Sequence, residues 1–564
     1  MEKVIDCLFI GHNEMDFTGY EKEVRKMGTH SGAYRDLSLN FVFYNNIPYS
    51  PLDMFNLFYL NQEQEKKQVE PVSLGETFSA AIAYLGTYLN RRGLSFDYVN
   101  SFQDEKQDLE EKLKKNDICT IAIITTLYVS VFPILEIMDF IKKHNRTAKI
   151  IVGGPFVSTQ CRIMDNQSLQ YLFSTIGADI YVNSSQGEAA LVKVINAFKK
   201  SLPLDGISNI YYQSENGFLQ TPVCLEDNNL SRNMVDWRLF SDRLGDFAAV
   251  RTSISCPFCC AFCGFPQHAG KYQVASIEAV EQELNHLAEI KAVKRINFID
   301  DTFNVPKQRF KEILKIMSKN RYPFKWISHF RCQYADEECV ELMKTSGCEG
   351  VFLGIESGSN QVLKKMNKAV TIEQYLKGIE LLKKYDILTY GSFIIGFPGE
   401  TENTIKETIS FIKEGGLDFF RAQLWYCDTI TPIWKKKEEY QIRGSNFEWT
   451  HNGMDAKQAC DWIDHIFLSI DQPVWIPQYN FEFDGFFHLL ERGFSIEEVR
   501  DFLISFNQGI RERIMNPCRR EISLEAVMKI KNACCQTEDI MYTLNAYHEK
   551  RTFDRSHVDF DFDI

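Results

Sequence analysis

The sequence predicts an α/β protein in three parts: a doubly wound, Rossmann-like sheet, a partial six-stranded β/α barrel of the TIM type, and a mostly helical C-terminal region. Three observations support this prediction. Apolar strands alternate with helical segments in the first part, the alternation restarts near Ala248, and it stops at Cys427. We therefore predict domains at residues 1–205, 246–426 and 427–564, with a linker at 206–245.

The first part contains apolar strand candidates whose composition is typical of a parallel sheet covered on both faces. They are Val4–Ile10, Ser95–Val99, Ile118–Thr125, Ala148–Gly154 and Ala178–Val182. A helix is predicted at Leu74–Leu89. An insertion at about 12–72 precedes this helix and is much longer than the usual βα loop.

The second part repeats the βα unit, and enzymes with this architecture carry their active sites at the carboxyl ends of the barrel strands. The predicted strands are Ala248–Thr252, Arg295–Ile299, Lys325–Phe330, Gly350–Gly354, Thr389–Gly396 and Phe419–Trp425. The predicted helices are Ser276–Ile290, Pro306–Lys319, Glu337–Thr345, Asn360–Asn367, Ile372–Lys384 and Glu402–Lys413.

The C-terminal region is predicted to form helices that cap the barrel mouth. These are Asp455–Ser469, Asp484–Glu491, Ser495–Glu512 and Ser523–Cys534. His451 lies in an aromatic-rich stretch and is either a substrate-facing or a structural histidine. The acidic tail Asp559–Ile564 is expected to be exposed.

Composition limits the function classes. The chain of 564 residues is 45% hydrophobic and 25% charged, with a net charge of −13. The negative charge argues against nucleic-acid and anionic-membrane partners. The apolar run Ile121–Leu135 is too short for a membrane span and instead predicts a buried strand followed by a helix. The 16 scattered cysteines of the chain and the absence of a secretory pattern favour a cytoplasmic location. We expect a monomer.

Cys256, Cys260 and Cys263 form a CxxxCxxC loop directly after a predicted strand. Three thiolates this close together are suited to one face of a 4Fe–4S cluster, and they leave one iron without a protein ligand. A zinc knuckle that recruits Cys259 is the alternative, although zinc sites more often use two separate CxxC pairs.

With the aromatic Phe262 before the last cysteine, this loop resembles that of the radical S-adenosylmethionine (SAM) enzymes. The resemblance implies that the amino and carboxylate groups of SAM bind the open iron. It also implies that Cys256, Cys260 and Cys263 are the catalytic ligand set and that Phe262 packs on the adenine. The reduced cluster would cleave SAM to a 5′-deoxyadenosyl radical.

The same resemblance implies SAM contacts at the ends of the later barrel strands. They are Asp300, Asp301, Ser328, Arg331, Glu356, Ser357, Ile395, Gly396 and Gln423. Arg331 is assigned to the SAM carboxylate because a planar guanidinium suits a bidentate carboxylate. Simpler alternatives are open: Asp300 and Asp301 as caps of the helix near Pro306, and Ser357 as a helix N-cap.

Small and hydroxyl-bearing residues follow the strands of the first part and resemble a cobalamin-binding domain. They are Gly11, Leu74, Thr125, Thr126, Tyr128, Ser130, Gly153, Gly154, Pro155, Gly187 and Glu188. Ordinary βα turn chemistry explains each one alone, but ligands of such sheets do bind at this edge. The chain lacks the Asp-x-His-x-x-Gly pattern, so we expect no histidine below the cobalt. Tyr128 is a candidate for that position.

The chain as a whole is similar to the cobalamin-dependent radical SAM methyltransferases of natural-product biosynthesis. This implies two SAM molecules per turnover, an external flavodoxin- or ferredoxin-type electron donor, and methylation of an unactivated carbon or a phosphinate phosphorus in a small molecule or peptide. Asp6–Met15 and Gly32–Asp36 resemble the phosphinothricin-type P-methyltransferases. The cationic candidates for a phosphinate are Arg35, Arg91, Arg92 and Arg421.

Two alternatives to methyl transfer are open. The first is a cobalamin radical SAM enzyme that rearranges or cyclises its substrate without methylating it. The second is a regulator that senses cobalamin or redox state. The regulator is disfavoured because it needs neither an open iron nor the SAM contacts.

Overall fold

The computed structural model describes residues 3–14, 16–62, 71–73, 77–126, 128, 130–215, 217–226, 228–479, 481 and 483–534. Leu74 and the acidic tail lie outside these residues.

The strands of the described chain, in order, are β1 Val4–His12, β2 Val42–Tyr44, β3 Ile47–Tyr49, β4 Phe96–Ser101, β5 Asp117–Ile124, β6 Lys149–Gly153, β7 Ile180–Val182, β8 Ile210–Ser214, β9 Gly217–Gln220, β10 Phe247–Val250, β11 Ser253–Ile254, β12 Gln273–Val274, β13 Arg295–Phe298, β14 Lys325–His329, β15 Cys348–Glu356, β16 Leu388–Ile395, β17 Phe419–Leu424, β18 Arg443–Ser445, β19 Glu448–Thr450 and β20 Val474–Trp475.

The helices are α1 Phe17–Lys26, α2 Gly32–Ser38, α3 Pro51–Gln62, α4 Ala80–Asn90, α5 Lys106–Lys115, α6 Phe132–His144, α7 Pro155–Ile163, α8 Asn166–Ile176, α9 Glu188–Lys200, α10 Phe265–Ala269, α11 Ile277–Glu289, α12 Lys307–Asn320, α13 Glu337–Thr345, α14 Asn360–Lys365, α15 Ile372–Lys384, α16 Glu402–Glu414, α17 Lys437–Tyr440, α18 Ala456–Ser469, α19 Phe483–Glu491, α20 Ile496–Met515 and α21 Leu524–Cys534.

The chain forms two compact units. The first comprises residues 1–14, 75–418 and 425–455, and the second comprises residues 15–74, 419–424 and 456–564. Most of the predicted insertion therefore groups with the C-terminal helices, whereas the predicted first domain and most of the predicted barrel share one unit. No helix in the described part of the chain is long and apolar enough to cross a membrane.

The first sheet of the first unit has the strand order β4-β1-β5-β6-β7-β8-β9. Its first five strands are parallel, and β1 pairs with both β4 and β5, which confirms the doubly wound topology. Strands β8 and β9 are antiparallel and extend this sheet, and they lie within residues 206–245, which were predicted as a linker. The core includes Ile10, Ile121 and Val152 of the sheet, with Ile137 and Phe173 of the covering helices.

The predicted helix at Leu74–Leu89 begins later than its apolar pattern suggested. Helix α4 starts at Ala80 because the Ser79 side chain accepts a hydrogen bond from the Ile82 N–H and caps it. The predicted strand and helix within the apolar run at 121–135 are confirmed as the end of β5 and the start of α6.

The second sheet of the first unit contains the parallel strands β10, β13, β14, β15 and β16 in that order. One face is buried by helices: Trp326 contacts Phe310 of α12, and Phe393 contacts Phe411 of α16. On the opposite face, residues that alternate with these are partly exposed, namely Asn297, Ile299, His329, Phe352 and Gly354. Because side chains alternate between the faces of a strand, this second face borders an open interior, here called the lumen.

The second unit contains α1–α3, the hairpin β2–β3, the parallel pair β17–β20 and the helices α18–α21. The four C-terminal helices predicted from the sequence are confirmed. Phe17, Leu37, Phe41 and Phe43 form one buried cluster. Sequence segments that lie far apart in the chain thus fold together, as in the Phe55–Phe502 ring contact at 5.3 Å.

Candidate functional site

The CxxxCxxC loop leaves β11 at Ser255, which adopts a left-handed backbone with φ of +66°. Neighbouring backbone holds the loop in place. The Ala261 N–H donates to the Met366 carbonyl at 2.8 Å, and the Ile433 N–H donates to the Ala261 carbonyl at 2.9 Å. The three predicted ligands therefore sit on a segment anchored from two sides.

The three cysteines lie close enough to influence one another. Burial, together with the nearby charges of Cys260 and Cys256, raises the pKa of the Cys263 thiol to about 11. Cys259, in contrast, is exposed, and only its backbone carbonyl is bound, by the Asn367 side chain at 2.8 Å. The arrangement suits a three-thiolate ligand set with Cys259 outside it.

Among the described residues, no three His, Cys, Asp or Glu side chains are grouped to hold a single metal ion. A 4Fe–4S cluster places its three cysteine ligands on three different irons, so it needs no common metal centre. The three thiols on one short loop therefore suit such a cluster.

The two predicted aspartates have different roles. Asp300 is buried and accepts hydrogen bonds from the Thr252 N–H at 2.7 Å and the Ser253 N–H at 2.8 Å. It therefore fixes the turn that leads into the cluster loop, and it does not cap α12, whose N-cap is Pro306. The Asp301 residue is partly open to solvent, but its carboxylate lies close to surrounding protein. Desolvation by the surrounding protein, together with the Asp300 carboxylate, raises its pKa to about 7.

Arg331 is positioned by stacking and by its own backbone. Its guanidinium carbon lies 3.6 Å from the centre of the Phe258 ring, which belongs to the cluster loop. Asn304 binds both the N–H and the carbonyl of Arg331 through its side-chain amide, at 3.0 and 2.9 Å. The Nη2 group donates to the Lys368 carbonyl at 2.7 Å, while Nε has no partner in the described structure.

Glu356 ends β15 in a left-handed backbone with φ of +68°, which is uncommon for a residue with a side chain and is found at functional sites. Its Oε1 pairs with Lys368 Nζ at 2.7 Å, and both side chains are buried. Lys368 Nζ also lies 5.4 Å from the centre of the Phe262 ring. Sequence reasoning missed Lys368, because nothing in its local sequence points to an ion pair with Glu356.

Ser357 is buried, and its hydroxyl contacts Thr408 Oγ1 at 3.3 Å and accepts from the Ser359 N–H at 3.2 Å. It caps no helix, because the N-cap of α14 is Ser359. The side chain fixes the turn after β15.

Two of the predicted SAM contacts, Ile395 and Gly396, lie at the end of β16. Gly396 has a φ of +93°, and its N–H donates to Glu400 Oε2 at 2.6 Å. Ile395 is fully buried and accepts from the Trp425 N–H at 2.8 Å through its carbonyl. Burial raises the pKa of Glu400 to about 8.

His451 forms a hydrogen bond with the backbone at this end of the strand. Its Nδ1 accepts from the Gly453 N–H at 3.0 Å, so Nε2 carries the proton and donates to the Gly396 carbonyl at 3.0 Å. Trp449 stacks on its ring at 5.3 Å. These contacts favour the structural alternative for His451.

Several buried polar atoms near the ends of β13 and β14 have no hydrogen-bond partner among the described residues. They are Ser328 Oγ, His329 Nδ1, Arg331 Nε, and Gln333 Oε1 and Nε2. Because an unpaired buried polar group is costly, such a set indicates a ligand or bound water. Two other predicted SAM contacts lie elsewhere. Ser328 lies on the helix-covered face of β14, as Trp326 does, and Gln423 belongs to β17 of the second unit.

The edge of the first sheet differs in character. An added Cβ at Gly11 would lie 2.3 Å from the Asn100 carbonyl oxygen, and Gly154 has a φ of +120°. Thr125 Oγ1 donates to the Gly153 carbonyl at 3.0 Å, and a Cβ at Gly153 would meet Val182 at 3.2 Å. At these glycines the protein itself fills the space that a Cβ would occupy, so glycine is required there by packing and, at Gly154, by the backbone conformation.

The remaining predicted contacts at this edge are distributed as follows. Thr126 and Pro155 are exposed, Ser130 is partly exposed, and Gly187 is the left-handed N-cap of α9 with a φ of +86°. Glu188 is buried and accepts from the Asn228 side chain at 2.7 Å, so it is a structural residue.

Tyr128 is buried, and its hydroxyl accepts from the Asn13 N–H at 2.8 Å. It packs 5.7 Å from the ring of His12, the last residue of β1. His12 Nδ1 is buried and has no partner among the described residues. Leu74 lies outside the described residues.

Comparison with known proteins decides the family of the barrel region. The Radical SAM superfamily model matches residues 250–412, which include all three cysteines and the strands β13–β16. Residues 250–412 form a radical SAM domain. The predicted SAM and 4Fe–4S cofactors are those of this superfamily, and the resemblance drawn from the cluster loop is confirmed.

Relatives of the radical SAM domain extend the match over more of the chain. An uncharacterized methyltransferase of Pyrococcus horikoshii is 28% identical over 336 residues, which cover 58% of this chain and 71% of the relative. A putative methylthiotransferase of Methanocaldococcus jannaschii is 27% identical over 432 residues, covering 72% and 90%.

Two solved structures share the fold well beyond the radical SAM domain. The methyltransferase TsrM of Kitasatospora setae, with cobalamin and a [4Fe–4S] cluster bound, superposes with a TM-score of 0.61 at 15% identity, covering 92% of this chain and all of that chain. The cobalamin-dependent SAM radical enzyme OxsB gives a TM-score of 0.56 at 15% identity, covering 81% and 80%. The predicted fold class is confirmed.

Proposed function

We propose that this chain is a cobalamin-dependent radical SAM methyltransferase that uses two SAM molecules per turnover. The observation that carries the proposal is that the cluster loop lies close to the carboxyl edge of the first sheet, within the first unit. Gly270 follows the cluster loop closely, and a Cβ placed there would lie 3.2 Å from Ser185 Oγ, in the loop after β7. The small-residue edge and the thiolate loop are therefore near neighbours.

A second contact supports this proximity. Arg251 follows β10 and leads into the cluster loop, and its guanidinium carbon lies 4.3 Å from the centre of the Tyr84 ring on α4. The Arg251 charge also acts on Glu188 at the start of α9. Helices that cover the first sheet thus contact the segment that begins the radical SAM domain.

The residues fit the three cofactors. Three thiolates suit the cluster, the unpaired donors of Arg331 and Gln333 suit a SAM carboxylate, and the glycine edge suits a large planar ring. When bound, the cluster and SAM supply a radical that abstracts hydrogen from the substrate, and cobalamin supplies the methyl group. The names of the relatives and the bound cobalamin of TsrM support this assignment.

The chain itself binds and orients the cofactors and the substrate, and it excludes water from the site. Lys368 balances the Glu356 carboxylate beside the cluster loop, so that Glu356 stays fixed near the expected SAM site. Asp300 holds the backbone at Thr252 and Ser253, and Asn304 holds the backbone of Arg331. The lumen gives the substrate a place enclosed by strands, which protects a reactive radical from solvent. An external low-potential donor of the flavodoxin or ferredoxin type would reduce the cluster.

The proposal is tested by anaerobic reconstitution with iron, sulfide, cobalamin, SAM and a strong reductant. S-adenosylhomocysteine and 5′-deoxyadenosine are quantified together by mass spectrometry. We expect both from the wild-type enzyme. In Cys260→Ala, 5′-deoxyadenosine should fall at least about 100-fold while S-adenosylhomocysteine persists, because only the cluster is lost.

Cys259→Ala is the matched control, since it removes the exposed neighbour of the same loop and should behave as wild type. Formation of 5′-deoxyadenosine without S-adenosylhomocysteine would contradict methyl transfer. Equal loss of 5′-deoxyadenosine in both variants would contradict the ligand assignment.

A further inference from the structure

The inward face of β14 ends in a histidine that belongs to an aromatic row across three strands. The His329 ring lies 4.8 Å from Phe352 of β15, and Phe352 lies 5.0 Å from Tyr390 of β16, both in edge-to-face geometry. The register pairs His329 with Phe352 and Phe352 with Tyr390. The three side chains therefore form one continuous surface of the lumen.

This surface is accessible. His329 and Phe352 are partly exposed, whereas their sequence neighbours Ser328, Phe330, Val351 and Leu353 are buried on the helix-covered face. On neighbouring β13, Asn297 is also partly exposed, as is Ile299 directly after that strand. Tyr390 is buried, so the accessible part of the row consists of the His329 and Phe352 side chains.

The hydrogen-bonding state of His329 follows from its surroundings. Burial lowers the pKa of His329 to about 4, so the imidazole is neutral at pH 7. Its Nδ1 is buried and without a partner in the described structure. With Nδ1 holding the lone pair, Nε2 carries the proton, and the partly exposed ring can offer a hydrogen-bond donor there.

The row itself carries no formal charge at neutral pH. Among the charged groups at the strand ends, Glu356 pairs with Lys368, and Arg331 is assigned by the proposed function to the SAM carboxylate. An anionic substrate group placed against the row would lose hydration without gaining a cation.

We propose that His329 and Phe352, with Tyr390 packed against Phe352, bind the substrate through an uncharged flat or aromatic group that carries a hydrogen-bond acceptor. The inference rests on the proposed function, because it assumes that the substrate enters this lumen. It assigns His329 as a specificity-determining contact. It also favours carbon as the methylated atom, since a phosphinate is an anion.

The probes are benzamide, benzoate and phenylphosphinate, which share a phenyl ring and differ in charge. Binding to the reconstituted holoenzyme with SAM is measured by anaerobic calorimetry. We expect benzamide to bind and both anions to bind at least about 10-fold more weakly. His329→Phe should weaken benzamide binding about 10-fold, and His329→Gln should retain most of it, because a glutamine amide can replace the Nε2 donor.

His30→Phe is the control for a histidine replaced on the surface, since His30 lies in an exposed turn of the second unit. Equal benzamide affinity in wild type and His329→Phe would overturn the inference. So would undetectable benzamide binding, or phenylphosphinate binding at least as tightly. Production of S-adenosylhomocysteine and 5′-deoxyadenosine by the same wild-type preparation would show that the proposed function stands even if the inference fails.

Discussion

At the carboxyl edge of the first sheet most of the predicted residues are small, and two buried polar atoms there, His12 Nδ1 and Gln186 Oε1, lack a partner among the described residues. At the carboxyl edge of the radical SAM domain, several buried polar atoms lack partners among the described residues. Thr125 and Tyr128 are hydrogen-bonded within the protein, whereas Arg331 Nε and both Gln333 side-chain atoms are not. Both edges terminate parallel strands of similar βα units.

Under the proposed function, the two edges would bind their cofactors in two different ways. A large planar ring gains most from area and shape, so its site needs glycines that allow close approach. A smaller charged ligand such as SAM gains most from directed hydrogen-bond donors and charges, so its site needs polar groups that have no partner within the protein. The strand framework supplies the position in both cases, and the residues after each strand decide the ligand.

The largest effect is expected at Gly154, where an added side chain should abolish the shape of the first edge. Gly154→Val adds a Cβ 2.8 Å from Thr125 Oγ1 at a φ of +120°. We expect cobalamin affinity to fall at least about 100-fold, measured by the absorbance of retained cobalamin. The cluster spectrum should be unchanged.

Gly28→Val separates backbone strain from site shape, because Gly28 also has a positive φ of +99° but has nothing within 4 Å of an added Cβ. Normal cobalamin binding by Gly154→Val would show that this edge does not depend on small residues.

At the second edge, Arg331→Ala should raise the Kd for SAM by about 30-fold, or about 2 kcal/mol, through the loss of a charged donor. Equilibrium dialysis with labelled SAM measures this effect. Cobalamin retention should not change, since Arg331 belongs to the other edge. The exposed Arg321 provides the control variant Arg321→Ala. An equal loss of bound cobalamin in Arg331→Ala would contradict the assignment of separate cofactors to the two edges.

The smallest effect concerns pH. The pKa of Glu400 is raised to about 8 in the folded state, against about 4.5 when unfolded. Between these values the folded state holds the extra proton, so this group makes stability fall as pH rises, by at most about 1.4 kcal/mol per pH unit. Glu400→Gln should therefore flatten the loss of stability between pH 6 and 8 in urea titrations.

Glu402→Gln changes a carboxylate two residues away that is exposed and paired with Lys406, whose charge lowers the pKa of Glu402. It should leave the slope between pH 6 and 8 as in wild type. An unchanged slope in Glu400→Gln would mean that Glu400 is ionised in the folded protein.

Local sequence determined the cluster loop and the βα order. Cys256, Cys260 and Cys263 are within eight residues of one another, so chain connectivity alone brings them together. The alternation of apolar strands and amphipathic helices likewise determined the doubly wound sheet and the barrel strands, because side-chain period follows directly from backbone geometry. The grouping of residues 15–74 with the C-terminal helices has no such local signal.

Only the tertiary structure decided which residues of the site have partners. Lys368 reaches Glu356, His451 reaches Gly396, and Asp300 is used by the turn at Thr252. The lumen row of His329, Phe352 and Tyr390 depends on the register of three strands. Sequence patterns report the face on which a side chain lies, but a hydrogen bond or an ion pair depends on distances between segments far apart in the chain, which only packing sets.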